Sequence, residues 1–519
     1  MPADIVLVNA NVRTMDPNQP VAQAVAIKKN KILKVGSNQE INRLVTKSTH
    51  VISLSGKTIV PGLIDTHVHV ADFGRCLLWL DLASAESIPQ LQNLVKEKVN
   101  QTDAGKWIIG RGWNEKRFRE KRMLNLSDLD EAAPNNPVIL YHEAAMICAV
   151  NSKALQLAGI TRQTSVPLGG TVDKDSQTGE VAGIFRDAAT NLVWQAVPEP
   201  TETELLDATE LACQKLAEAG LTSVHWLVLS EAELPIIKQL GERGTLIVGV
   251  NVIVPDTLLK KIIGLKSSAK SLLHFGGVMI AVDGYLDSKT AALREPYADE
   301  PANSGKLFYS EQALSNLVAK VLAVGLEPVI HAMGDRAVDT VLRVIETEKQ
   351  KTIRFRIEQA ALLNKELIGR VRKQNVVITV QPKVIGTEFL VWSARKRLGS
   401  KRAKWLHPLK SLLRQGVVVA GGSDCPMEPL NPLLGIQDAI SRDSFQEQRL
   451  SVEEALGLYT LGAAYSSCEE NVKGSIEEGK LADLTVLSSD LFAVSHDKIA
   501  SIKVEMTIVG GNVVYQKHE

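Results

Sequence analysis

The stretch PGLIDTHVHV, residues 61 to 70, ends an apolar run in His67-x-His69. If that run is a strand, side chains two apart share a face, so both imidazoles aim at one point. Neutral imidazole is the commonest protein ligand for zinc-like ions, and two on one strand are half of a site. Asp65, two residues before the first of them, is a candidate to orient a ring through its second nitrogen. Other apolar runs also end in groups able to bind a metal or move a proton: His142 with Glu143, His225, Asp283, His331 with Asp335, Glu358 with Gln359, Gln381, and Asp424. One histidine at a strand end is more often a satisfied structural group than a ligand. The repetition of the pattern is what points to a site.

The balance of the chain excludes several classes of partner. Lys plus Arg and Asp plus Glu both number 59 among 519 residues, so no basic excess argues for nucleic acid or an anionic membrane surface. No run of about twenty uninterrupted apolar residues appears, so no bilayer-spanning segment is expected. The N-terminus lacks the basic and apolar regions of a signal peptide. Five scattered cysteines, with no CxxC pair, fit a reducing cytoplasm better than a disulfide framework or a cysteine-rich zinc site.

The elements that must position these residues fall into two textures. Residues 4 to 60 alternate apolar and polar in short runs, and the same texture returns in LADLTVLSSD and VEMTIVGGNVVYQ near the other end. Both ends therefore complete one small β domain, 1–60 with 470–519. Between them, 61–469 carries eight apolar, β-branched runs: IVPGLID, PVILYHE, LTSVHWLVL, GVMIAVDG, LEPVIHAMGD, RFRIEQA, VVITVQP and VVVAGGSD. Amphipathic segments lie between many of them, one opening with the capping box Thr201-x-x-Glu204. Eight strands buried on both faces and alternating with helices predict an α/β fold, a parallel (β/α)8 barrel, with chemistry at the C-terminal strand ends. Residues 73–137 are too many for one connecting helix and read as an insertion beside the barrel mouth, where Trp113 could line a substrate pocket.

The chain resembles the amidohydrolase superfamily, and within it the YtcJ-like branch that includes N-substituted formamide deformylases. The matching stretches are PGLIDTHVH, RGWN, VNSKAL, DGYLDSKTAALREPY, HAMGDRAVD, RFRIEQA, GGSDCPMEPLNPLLGI and GSIEEGKLADLTVL, which run along nearly the whole chain. The resemblance implies a metal-dependent hydrolase on a (β/α)8 TIM barrel with a β-sandwich built from both ends. It assigns His67, His69 and His331 as metal ligands. Asp424 becomes both ligand and the group that takes a proton from the attacking water. Three family positions differ: Met279 replaces the fourth-strand lysine whose carbamate bridges two metals, Gln359 replaces the sixth-strand histidine, and Met146 replaces a histidine near VNSKAL.

Without the bridging carbamate, one metal per chain, zinc, is the expected stoichiometry, acting on a C–N bond of an amide or formamide-type small molecule. Trp113, His142, His225, Tyr285, Arg294 and Gln359 are the candidate substrate contacts, although Arg294 could equally pair with a loop acid. Rival readings are a mononuclear heterocycle deaminase and a degenerate barrel that binds without catalysis. The oligomeric state is open in the sequence, with a homodimer, common among soluble enzymes, as one expectation.

Overall fold

In the computed structural model, all residues are described except 144–145, 168–169, 265–271, 349–352, 387–393 and 518–519. The chain forms two compact units, Met1–Gly74 with Leu206–Glu519, and Arg75–Leu205.

The first unit contains an eight-stranded parallel sheet in sequential order. Its strands are β1 (Leu63–Val68), β2 (Leu221–Leu227), β3 (Gly249–Pro255), β4 (Leu273–Ala281), β5 (Glu327–Ala332), β6 (Arg356–Gln359), β7 (Val377–Val380) and β8 (Val419–Gly421). Every residue of β1, β2, β5, β6, β7 and β8 is buried, as strands covered on both faces must be. The sheet curls until its last strand meets its first. A parallel bridge joins Val68 to Cys425 just beyond β8, and Gly422 packs its backbone against His67. A (β/α)8 barrel is the result.

One expected barrel strand is corrected. PVILYHE is not in the barrel: Val138–His142 pairs with Ile108–Trp113 and Ile147–Val150 in a separate six-stranded sheet of the second unit. The missing barrel strand is β3, GVNVIVP, between β2 and β4. Both runs are apolar because both are covered on two faces, and periodicity does not say which sheet a buried run joins. The segment inserted after β1 is therefore longer than 73–137. It forms a unit with its own core around Leu91, Val95, Trp113, Phe118, Leu129 and Leu140.

The chain ends build two further sheets, one from the N-terminal segment alone and one from both ends. One orders Lys31–Gly36, Ala24–Lys28, Ile5–Val8 and His50–Ser53; the other includes Thr58–Pro61, Leu484–Leu487 and Val504–Val509. Leu7, Ile27 and Ile32 from the first and Ile59, Leu484, Val486 and Ile508 from the second share one core, which makes a sandwich. Helix Glu202–Glu218 begins at the anticipated capping box, with Thr201 Oγ1 accepting the Glu204 amide at 3.3 Å. No helix among the described residues is long and apolar enough to cross a membrane, and none of the five cysteines forms a disulfide.

Candidate functional site

His67 lies near the end of β1, His69 just beyond it, and Asp424 follows β8, so the residues that could hold a metal lie on the seam where the barrel closes. Two backbone bonds fix the register there: the Asp424 amide donates to the His67 carbonyl (2.8 Å) and the His69 amide to the Cys425 carbonyl (2.9 Å). Asp424 sits at φ 62°, a left-handed conformation that aspartate tolerates better than most residues. Asp65 serves this seam rather than a histidine ring. Its Oδ1 accepts the backbone N–H of His67 (3.0 Å) and of Ser423 (2.9 Å), tying β1 to the residues after β8. Burial pushes its pKa up to about 6 against those hydrogen bonds.

The imidazoles are oriented by other groups. His67 Nδ1 lies 2.8 Å from Glu358 Oε2, and His69 Nδ1 lies 3.1 Å from the Leu227 carbonyl oxygen. Both partners only accept, so each Nδ1 donates and Nε2 is the ring nitrogen each histidine can offer a metal. Those two Nε2 atoms stand 3.4 and 3.2 Å from Asp424 Oδ1. Ligands about 2.05 Å from a tetrahedral ion are separated by about 3.3 Å, so each imidazole already stands from Asp424 at the spacing a zinc-like ion requires. His67, His69 and Asp424 each offer a ligand atom within 4.8 Å of the others.

Electrostatics agree with that fit. Burial disfavours a charged His67, but Asp424 and Glu358 outweigh it and raise its pKa to about 10. Burial likewise opposes the Asp424 anion, yet His67 and His69 hold it well below the usual carboxylate range. A place that stabilises an imidazolium this strongly stabilises a metal cation in its stead. Glu358 is itself buried, and burial is overcome by Arg356 and His67, which bring it down to about 2. Arg356, fully buried, bonds Glu358 and donates to the Thr66 carbonyl (2.6 Å) and to His225 Nδ1 (2.6 Å).

A cavity of about 460 Å³ opens on the three ligands, lined by His67, His69, Asp424, His331 and Tyr285 and walled by Leu227, Val228, Pro255, Met279 and Phe308. His331, on β5, faces it from across the barrel but lies outside the three-ligand group. Its Nε2 is 3.4 Å from the Gly284 carbonyl oxygen and 3.9 Å from Asp283 Oδ1, and its ring leans on Tyr285 at 5.1 Å. Asp283 accepts the backbone N–H groups of Ala292, Met333 and Gly334, which pins the loop after β4 beside it. Met279 does stand on the cavity wall. Lys289 is engaged elsewhere, 3.2 Å from Asp299 and 3.0 Å from Glu300.

Of the other expected contacts, only Tyr285 lines this cavity. Arg294 pairs with Glu366 (2.6 Å) and Asp339 (3.2 Å). Trp113 is buried in the second unit, its indole donating to the Leu140 carbonyl, with His142 edge-on to it and 3.1 Å from Glu115. His225 is held by Arg356 and faces a different cavity. Gln359 is buried at φ 70° and does not line the metal-facing cavity. The residues that sequence reasoning missed are Arg356 and Glu358 as a buried pair. Their signal was the i, i+2 spacing of opposite charges in RFRIEQA, a run expected to be buried on both faces.

A profile of the Amidohydrolase family matches residues 50–515. YtcJ of Bacillus subtilis strain 168 is 34% identical over 511 residues, covering 95% of this chain and 96% of its own. LONG AFTER FAR-RED 3 of Arabidopsis thaliana is 32% identical, covering 99% and 92%. The N-substituted formamide deformylase of Arthrobacter pascens is 27% identical, covering 99% and 98%. Among solved structures, an uncharacterized metal-dependent hydrolase from Pyrococcus furiosus superposes with a TM-score of 0.78 at 29% identity, over 94% of this chain and 99% of that one.

Proposed function

The chain belongs to the amidohydrolase family, and from that premise we propose that it hydrolyses an amide or formamide-type C–N bond in a small molecule. In this reading His67, His69 and Asp424 hold one divalent metal, zinc by preference. The observation that carries it is the spacing and orientation of those three ligand atoms at the mouth of an apolar cavity. A metal held there would supply Lewis-acid chemistry, activating water for attack and polarising the substrate carbonyl.

The remaining steps belong to the chain. Asp424, ionised throughout the neutral range, accepts a proton from the attacking water and delivers it to the leaving nitrogen. His331 is kept neutral because burial lowers its pKa, and it faces the substrate from the opposite wall. Leu227, Val228, Pro255, Met279 and Phe308 shield the reacting carbonyl from bulk water and accommodate an apolar substituent. Lys306 lines the same cavity and suits an anionic group at the far end of the substrate. Met279 has no amine from which to form a carbamate, which supports a single ion. Five cysteines without a disulfide suit a reducing, cytoplasmic setting.

The test is product release from metal-loaded protein offered N-substituted formamides, acylated amines and aminated heterocycles. An acid plus an amine is the expected outcome, and Asp424→Asn should lower that turnover by about 10²-fold or more. Ammonia from a heterocycle alone would convert the reading to a deaminase. No turnover on any class would leave a barrel that binds without catalysis.

A further inference from the structure

The loop after β4, residues 282–310, carries three cations, and two of them are engaged within the protein. Lys289 pairs with Asp299 (3.2 Å) and Glu300 (3.0 Å), and Arg294 with Glu366 (2.6 Å) and Asp339 (3.2 Å). The ammonium of the third, Lys306, has no partner among the described residues, although Asp287, Glu295, Asp299 and Glu300 share its loop. It lines the metal-facing cavity instead. Backbone bonds hold it there: the Lys306 amide donates to the Thr290 carbonyl (3.2 Å) and the Phe308 amide to the Val282 carbonyl (2.8 Å).

The other charges around this cavity have work already. His67, His69 and Asp424 form the candidate metal group, and Asp283 accepts three backbone amides. Thr290 Oγ1 accepts the Tyr285 amide (2.9 Å), and the Tyr285 hydroxyl, without a partner among the described residues, is a neutral group. Lys306 is therefore the one uncommitted charge among the described residues that line the cavity. The surface beside it is apolar and open to solvent: Leu229 is 55% exposed, Tyr285 52% and Phe308 51%, and all three line the same cavity. Large apolar side chains gathered in water around one opening mark a surface that an apolar ligand covers.

We propose that the amide cleaved here carries a carboxylate on an apolar, aryl-sized body, and that Lys306 selects it. This rests on the reading of the same cavity as a C–N hydrolase site. Lys306 pairs with the carboxylate, Leu229, Tyr285 and Phe308 cover the body, and the scissile carbonyl reaches inward to His67, His69 and Asp424. A carboxylate is favoured over a neutral acceptor because a charge-assisted hydrogen bond is roughly twice as strong. A cationic substrate would meet Lys306 with like charge.

The probes are 4-(formamidomethyl)benzoate, N-(4-methylbenzyl)formamide and N-[4-(aminomethyl)benzyl]formamide, which share the scissile formamide and the aryl body and differ in charge. With metal-loaded, full-length protein, kcat/KM should be about tenfold or more higher for the carboxylate than for the methyl compound. The difference should lie in KM, because a contact far from the reacting bond is made equally in ground and transition states. The aminomethyl compound should be the poorest of the three. Lys306→Met should bring the carboxylate and methyl compounds to within about twofold of each other, and Lys306→Arg should keep the preference. Equal or reversed preference, or a preference that survives Lys306→Met, would overturn the inference, while the hydrolysis itself upholds the C–N reading. If none of the three is hydrolysed, that reading fails for formamides, and ligand-observed NMR on the same protein decides the subsite separately. Binding of the carboxylate about tenfold tighter than the methyl compound, and lost in Lys306→Met, sustains it; equal binding, or none that saturates, removes it.

Discussion

His67 can offer a metal only one of its two ring nitrogens, and Glu358 makes the choice by accepting the Nδ1 proton. Arg356 makes Glu358 possible in turn, because an isolated carboxylate so deeply buried would take up a proton instead. Glu358→Gln keeps the shape, removes the charge and leaves Arg356 without its counter-ion. Metal affinity should fall about 10- to 100-fold, measured by competition with a chromophoric chelator. Unchanged affinity would mean that the Leu227 carbonyl and the barrel seam suffice to orient the ligands. His331 makes the contrasting case. It stands outside the three-ligand group, so His331→Ala should retain its metal while turnover falls by about 10²-fold or more.

At the scale of elements, the meeting of β1 with the residues after β8 does two jobs, closing the barrel and bringing His67 and His69 to Asp424. Gly422 permits the approach. A Cβ there would lie 2.7 Å from both the backbone nitrogen and the Cβ of His67, neither of which can swing aside. Gly422→Ala should destabilise the fold by about 1–3 kcal/mol and weaken metal binding with it, read from melting curves with and without metal. The N-terminal end of β5 carries a separate titration. Glu327 is fully buried, and burial raises its pKa to about 8, with Glu358 adding to the effect and Arg356 opposing it. The folded state therefore holds a proton that the unfolded chain releases near its ordinary value of 4.5. The resulting stability is fully present below that value and is lost as pH rises through about 8. Glu327→Gln should flatten the decline of melting temperature across this window.

At the scale of the whole molecule, the three ligands come from positions 67, 69 and 424, so an ion joins the first and last strands of the barrel. Binding to the native state alone makes the metal a stabiliser, worth about 4 kcal/mol at a free concentration a thousandfold above Kd. Chelation should lower the melting temperature, and plasma mass spectrometry should find close to one ion per chain. Two ions would require a bridging ligand that Met279 does not provide.

The sequence by itself determined what is local and periodic. The i, i+2 spacing of His67 and His69 puts both rings on one face, and buried strands alternating with helices specify a parallel barrel. The motifs along its length carry the family. Only the tertiary structure decided which sheet each buried run joins, since PVILYHE and GVNVIVP are equally apolar and only one lies in the barrel. It also decided the partners of buried polar groups. Asp65 is near His67 in sequence but binds backbone, whereas Glu358, 291 residues away, binds the ring. His225, at a strand end in the sequence, turns to a second cavity because Arg356 claims its Nδ1. Hydrophobic periodicity is written residue by residue. A buried charge finds its partner only when strands distant in the chain are brought side by side.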